Sequence, residues 1–380
     1  MKFLITSIID VNKSAPNRLH HFIKFLSKRH HIKIVCINDW WKGGQVNTSK
    51  FYRDFKETLD RVDIRYITEK KMSPIAQEFL YPLLMKSLGD DFDAIFNYNT
   101  LISGWYTAKK VGSPVIYDLA DDLPEMIASS PQIPRALRSL GKEAGRLALR
   151  KNIEVSRKVT GISQVLQRSY LISKEKFKLV PNGVDTSIFR NVKTDLKQEL
   201  GLEGSFILGY VGVLREWIDL RPAFKALKNL DSVKMLIIGE EGEIALNKKA
   251  ARDYKVEDKV IFTGTVPYLD VPKYISIMDA CLIPFKQNPI THNAVPLKLF
   301  EYMACEKPVI STKLRGVYEA VGDRVIYADT AEEIALLVKN LLHCGPSKHD
   351  AKMGREFIVD RYDWENIGKE MERILMDCCS

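Results

Sequence analysis

Apolar residues in the first half of the chain come in short unbroken runs: KFLITSII (2–9), HIKIVCI (31–37), DAIFNY (93–98), SPVIYDL (113–119), KVTGIS (158–163) and KLVPNGVD (178–185), the last running into an Asn-Gly turn. Such runs predict strands buried on both faces, as in a parallel sheet covered by helices. Between them the spacing turns helical. Over 17–28 it sets Leu19, Phe22, Ile23 and Leu26 on one side, and a second helical stretch lies around 105–110. After residues 186–200 the pattern restarts with SFILGYVG (205–212), VKMLIIG (233–239), KVIFTG (259–264), ACLIPF (280–285), KPVIST (307–312) and RVIYA (324–328). A last helix is expected over 364–376. Strand–helix alternation of this kind, met twice, predicts an α/β chain of two doubly wound Rossmann-like domains. A linker falls near 186–200, and ligands are expected in a cleft at the carboxyl ends of the strands. The 380 residues are too many for one ordinary core and suit two domains.

Composition narrows the class. With 46% hydrophobic and 28% charged residues the chain has a soluble balance, and no run approaches the ~20 apolar residues of a membrane span. The start, MKFLITSIIDVNKS, lacks a small-residue cleavage site and reads as a first strand rather than a signal peptide. Six cysteines without metal-ligand spacing indicate reduced thiols in a cytoplasmic protein, with Cys36 and Cys281 as small core residues. A net charge of +9 suits anionic partners. Nucleic acid is disfavoured, because the basic residues are not interleaved with exposed aromatics and no reading motif occurs. The segment PRALRSLGKEAGRLALRKNIEVSRKV (134–159) sets eight Lys/Arg against two Glu, with leucines and alanines at helical spacing. It reads either as a solvated helix covering the first sheet or as a basic amphipathic stretch for an anionic membrane face.

Candidate chemistry concentrates in NAVPLKLFEYMACEKPVIST (293–312). Pro296 suits a helix start, and the N–H groups of Leu297 and Lys298 then point out of the positive end of the helix dipole. Lys298 adds a full charge. Glu301, three residues on, shares its face and can accept from vicinal hydroxyls such as those of a ribose. Leu299, Phe300, Met303 and Ala304 form the packing face. The plainer reading is a surface Lys–Glu pair worth a few tenths of a kcal/mol. A second cluster, Asp118, Asp121 and Asp122, crowds the end of strand 113–119. Neighbouring acids raise each other's proton affinity and can orient hydroxyls or hold a metal, while Asp122 also suits the N-cap of a helix beginning LPEM.

Segment 293–312 resembles the donor-binding helix of retaining GT-B glycosyltransferases of the group 1 type. Further matches follow in the same order: KLVPNGVDTSIF (178–189) resembles the interdomain turn, GYVGVLREWIDL (209–220) the first strand and loop of the second domain, LIIGEEG (236–242) its Gly-Glu-Gly segment, VIFTGTVPYLDVPKYISIMDACLIPF (260–285) the stretch ending near the nucleobase, and DRYDWENIGKEMERIL (360–375) the closing helix. The first half matches in architecture only.

This resemblance implies an acceptor-binding domain over 1–185, a nucleotide-sugar-binding domain over 186–360, and a helix over 361–380 that packs back on the first. Glu301 corresponds to the ribose-binding glutamate. Asn293 stands where many members have a sugar-touching glutamate. Val213 and Ile218 stand where an arginine and a lysine clamp the diphosphate, so Arg215 and Lys298, with the amides near Gly212 and Leu297, are expected to replace the clamp. Glu240 and Val266 are expected at the base. Asp121 corresponds to the aspartate of a His-Asp pair whose histidine position is Ala120, and Asn17 and Arg18 correspond to the acceptor side. The expected catalytic set is Asp118, Asp121, Arg215 and Lys298, with Asp122 also facing the acceptor. The implied donor is a UDP- or GDP-sugar, with no tightly bound cofactor and no metal. The implied acceptor is a glycan or lipid-linked hydroxyl, reached in the cytoplasm or at the inner membrane face. The substituted clamp leaves an alternative: a nucleotide-sugar-binding scaffold subunit with impaired transfer.

Overall fold

The structure is a computed structural model that describes residues 1–40, 53–81, 91–130, 133–239, 242–345 and 347–379. The chain divides into two compact units, Met1–Asn182 with Glu365–Ser380, and Gly183–Trp364. The first boundary falls at the Asn-Gly step. The stretch 186–200, expected as a linker, lies in the second unit and carries the short helix Leu196–Glu199.

In the first unit the described strands are β1 (Lys2–Ser7), β2 (His31–Cys36), β3 (Asp63–Tyr66), β4 (Ala94–Tyr98), β5 (Val115–Leu119), β6 (Lys158–Gly161) and β7 (Phe177–Leu179). They form one parallel sheet in the order β3-β2-β1-β4-β5-β6-β7. Every residue of β4 and β5 is buried, which is why these strands read as unbroken apolar runs. The edge strand β3, DIRY, alternates exposed with half-buried positions and so escapes an apolar-run reading. β7 stops far short of the expected 178–185. Its pairing ends as Val180 N–H bonds Gly161 O at 3.0 Å, and Pro181 has no N–H to continue it. The last helix, Trp364–Cys379, runs past the expected 376 and packs on this unit. Its Glu372 accepts from Arg29 at 3.0 Å and His30 at 2.8 Å, and Arg157 donates to Cys378 O at 2.7 Å.

In the second unit β8 (Phe206–Val211), β9 (Val233–Ile238), β10 (Val260–Gly264), β11 (Ala280–Ile283), β12 (Val309–Ser311) and β13 (Ile326–Tyr327) form a parallel sheet in the order β10-β9-β8-β11-β12-β13. β8 is buried throughout and lies at the centre, so its carboxyl end is the natural ligand platform. Cys36 and Cys281 are buried free thiols within their strands, as expected. Among the described residues no helix is long and apolar enough to cross a membrane.

Candidate functional site

The second unit brings three strand ends together through glycine. Gly212, just past β8, has φ 123°, and its N–H bonds Ile238 O at 2.8 Å. Gly239, just past β9, has φ 139° and bonds Gly264 O at 2.9 Å; a Cβ there would stand 2.4 Å from Gly212 O. Side chains are excluded from this spot by sterics alone, which leaves bare backbone for a ligand to approach. The loop after β8 is tied down on both sides. Glu243 N–H bonds Leu214 O at 2.7 Å, Asp219 N–H bonds Pro284 O at 2.7 Å, and Lys286 N–H bonds Trp217 O at 2.8 Å.

Over this platform starts the helix Leu297–Ala304. Pro296 takes the cap position itself, and no side chain caps the first turn. Leu299, Phe300, Met303 and Ala304 are buried, as their spacing predicts, and Tyr302 is buried too, its hydroxyl accepting from Val211 N–H at 2.8 Å. That bond fixes the helix to the end of β8. Lys298 is half-buried. Its ammonium donates to the Tyr210 hydroxyl at 2.8 Å and lies 4.0 Å from that ring's centroid, and Tyr210 donates in turn to Val213 O at 2.9 Å. A Cβ at Gly212 would stand 2.8 Å from the same ammonium. Crowding in the surrounding protein pushes Lys298 down to about 7, against the attraction of Glu301. It pushes Glu301 up to about 7, against the attraction of Lys298. Among the described residues no hydrogen bond or ion pair engages the Glu301 carboxylate.

In the first unit the acidic cluster is dispersed among local tasks. Asp118, fully buried, takes both arms of Arg18, Nε at 2.8 Å and Nη2 at 2.9 Å, and accepts from Thr160 Oγ1 at 2.6 Å. Arg18 also donates to Pro181 O at 2.6 Å. Asp122 caps the helix Leu123–Ser129 through Glu125 N–H at 3.2 Å and accepts from the Tyr170 hydroxyl. Asp121 alone is solvent-accessible. The protein mass around it and then Asp118 raise its carboxyl above the ordinary range, with Arg18 opposing. Asn17 caps the helix Arg18–Leu26, accepting from Leu19 N–H at 3.0 Å, while its own N–H bonds His20 Nδ1 at 3.3 Å. Among the described residues no group of three or more His, Cys, Asp or Glu is placed to hold a metal.

Residues 192–358, which contain the whole glycine platform and the helix at 297, match the family model of group 1 glycosyl transferases. Over these residues the chain is similar to the group 1 glycosyl transferases. A Bacillus subtilis (strain 168) relative assigned to teichuronic acid biosynthesis as the glycosyltransferase TuaH is 23% identical, covering 93% of this chain and 91% of its own. The N-acetyl-alpha-D-glucosaminyl L-malate synthase of Bacillus anthracis is 27% identical over 60% of this chain and 62% of its own. The structure of Anabaena HepE in complex with UDP superposes with a TM-score of 0.76 at 18% identity, covering 99% of this chain and 100% of that one. Sucrose-phosphate synthase from Thermosynechococcus elongatus superposes with 0.78 at 15% identity, covering 99% of each. Together with the two doubly wound sheets, these neighbours give the fold as GT-B.

Within the matched region the expected residues fare differently. Gly212, Leu297, Lys298 and Glu301 gather at one end of β8. Arg215 lies exposed on the same loop, near enough for its charge to favour ionisation of Tyr210. Ile218, at the clamp-lysine position, is buried and bridges to Phe285. Trp217 packs on the core, and Asp219 holds the Arg221 guanidinium at 2.7 and 2.6 Å. The Val266 side chain is in the hydrophobic core. Glu240 lies outside the described residues.

Tyr210 and Asp10 are the residues sequence reasoning missed. Asp10, fully buried after β1, accepts from Asn12 N–H at 3.0 Å, Lys13 N–H at 3.2 Å, Asp39 N–H at 3.0 Å and the Tyr66 hydroxyl at 3.1 Å. Its place two residues before Asn12 and three before Lys13 suits an Asx turn, the one signal that could have found it. Asn99, past β4, holds a left-handed φ of 54°, with its Oδ1 buried and unpartnered among the described residues.

Proposed function

We propose that this protein transfers a sugar from a nucleoside diphosphate sugar, UDP- or GDP-linked, to a hydroxyl of a glycan or lipid-linked acceptor, with retention of configuration. The observation that carries the reading is the uncapped helix start at Leu297, set over side-chain-free strand ends, with one lysine and, on the same face, one carboxylate unpartnered among the described residues. A diphosphate satisfies the first-turn N–H groups and restores full charge on Lys298. A ribose diol donates to Glu301. Arg215, exposed and without a carboxylate partner among the described residues, reaches the leaving phosphate from the β8 loop.

Retention follows if the acceptor hydroxyl attacks the anomeric carbon from the face the diphosphate leaves. The carbon–phosphate-oxygen bond breaks as the new glycosidic bond forms, and a phosphate oxygen takes the hydroxyl proton. No protein nucleophile is needed. Fixed donors that offset charge on the leaving group supply the catalysis. On the acceptor side Asp121 is the accessible group that can orient a hydroxyl. Arg18, Asp118, Asn17 and Asp122 hold the surrounding strand ends and helix starts in place. In this reading the first unit serves the acceptor, and the protein works in the cytoplasm.

The buried Ile218 favours a second reading, a donor-binding scaffold with impaired transfer, because no cation can occupy that clamp position. Thermal shift with UDP-, GDP-, dTDP- and CMP-sugars, comparing wild type with Glu301→Ala, tests the donor site. Stabilisation of the wild type alone by one nucleotide names the base, and no shift at millimolar nucleotide rejects both readings. Release of free nucleotide on incubation with the identified donor then separates enzyme from scaffold.

A further inference from the structure

The helix Leu297–Ala304 is finished at one end only. Its first turn has no side-chain cap. At the other end every carbonyl of the last turn is engaged. Glu301 O takes Cys305 N–H at 3.1 Å, Tyr302 O takes Lys307 N–H at 3.0 Å, Met303 O takes Glu306 N–H at 3.0 Å, and Ala304 O takes the Arg355 guanidinium. The chain leaves through Glu306 in a left-handed conformation, φ 60°, where glycine is the usual residue. That exit also sets an acid at the negative end of the helix dipole, and Arg355 offsets it with a cation.

Arg355 comes from the helix Lys348–Tyr362, which packs on Leu297–Ala304. Its other bonds also go to carbonyls, Nη1 to Phe189 O at 2.8 Å and Nη2 to Thr186 O at 3.1 Å. That turn is itself braced. Phe189 N–H bonds Asp185 O at 2.8 Å, and Thr186 N–H bonds the Asp363 carboxylate at 3.2 Å. The guanidinium is therefore fixed, and it fixes the helix end.

A second fixed point lies two residues back, where the Tyr302 hydroxyl takes Val211 N–H at 2.8 Å. At 1.5 Å per residue, Ala304 is about 3 Å beyond that pivot and Leu297 about 7.5 Å before it. The helix is a lever with its short arm at Arg355 and its long arm at the open first turn. A shift of about 0.4 Å at Ala304 becomes about 1 Å at Leu297, a misplacement that can cost about 100-fold in rate. Glu301, next to the pivot, hardly moves. The buried apolar face does not set this angle, because its attraction is non-directional, and the bond from Lys298 to Tyr210 runs through a flexible stem.

We propose that Arg355 is a positioning residue for the donor. Holding the short arm, it aims the first-turn N–H groups and Lys298 at the diphosphate without touching the donor. This rests on the donor reading above. It makes the diphosphate contacts sensitive to Arg355 and the ribose contact at Glu301 insensitive to it.

The test is titration, followed by ligand-observed NMR, with UDP and GDP and with uridine and guanosine. Wild type is compared with Arg355→Met and with the milder Arg355→Lys, which keeps the charge but cannot span three carbonyls. Arg355→Met is expected to weaken the bound diphosphate about tenfold and its nucleoside by less than about twofold. If Arg355→Met does not fold, Arg355→Lys decides the same comparison. A general loosening would weaken both ligands alike, or lower the melting temperature and weaken neither. A nucleoside loss as large as the diphosphate loss, or unchanged diphosphate binding, overturns the proposal and leaves the donor reading standing. Wild type that binds neither diphosphate overturns both.

Discussion

The two units end their central strands in opposite ways. After β1 and β5 the first unit spends its charges on itself: Asp118 is closed by both arms of Arg18, and Asp10 by three amides and a hydroxyl. After β8 and β9 the second unit has glycine, one lysine resting on a tyrosine, and a glutamate with no partner among the described residues. A buried charge with a full set of partners is mortar. A half-buried charge without one is held ready for something that arrives. Residue type does not separate the cases, since both ends contain carboxylates and a cation; the filling of lone pairs and donors does.

The contrast can be broken in order of expected effect. Arg18→Met or Asp118→Leu alone leaves an uncompensated buried charge and should lower the unfolding free energy by about 3–5 kcal/mol, while the double substitution recovers much of that; urea titration measures both. A single variant within about 1 kcal/mol of wild type would deny the pair its structural role. Acid should act on the same unit. His20 is fully buried, donates from Nε2 to Val11 O at 2.8 Å, and is held down to about 4 by burial from an unfolded value of 6.5. The fold keeps it neutral, so its contribution is intact above pH 6.5 and lost as pH falls toward 4. The loss amounts to about 3 kcal/mol. Unfolding free energy measured against pH should show this slope, and His20→Gln should reduce it, the remainder coming from His21, which burial also holds well below its ordinary value.

In the second unit the same kind of change should spare stability and strike function. Lys298→Ala is expected to cut kcat/KM by about 100-fold or more, with little change in the urea midpoint. Glu301→Ala should raise the donor KM by about tenfold and leave kcat nearly intact, the mark of a hydrogen bond made equally in ground and transition states. The smallest effect belongs to Tyr210→Phe. Loss of the hydroxyl that receives Lys298 should cost about three- to tenfold in kcat/KM. It should also move the alkaline limb of the kcat/KM profile to lower pH, because the ammonium loses an acceptor that favours it. An unmoved limb would reduce Tyr210 to packing.

The strand inventory and the helix at 297 were legible because burial on both faces writes itself as continuous apolar sequence, and because Pro296, Lys298 and Glu301 lie within one local element. β3 was not, since an edge strand carrying Asp63 and Arg65 has no apolar run to show. One companion of the site and one pairing were also hidden. Tyr210 reads as one more core aromatic until a helix nearly ninety residues later sets Lys298 on its hydroxyl. Arg18 and Asp118 are a hundred residues apart and join only through the sheet order β1-β4-β5. Asp118, Asp121 and Asp122 look alike in sequence, and only the fold separates a paired anion, an accessible one and a cap.

The final helix, Trp364–Cys379, belongs to the unit that the chain begins, held there by Glu372 on Arg29 and His30. On the ribosome this inverts the order of completion. The second unit is synthesised whole before the first receives its last element, so the half that starts first is finished last, and until then the groove meant for that helix stands open to chaperones and to other nascent chains.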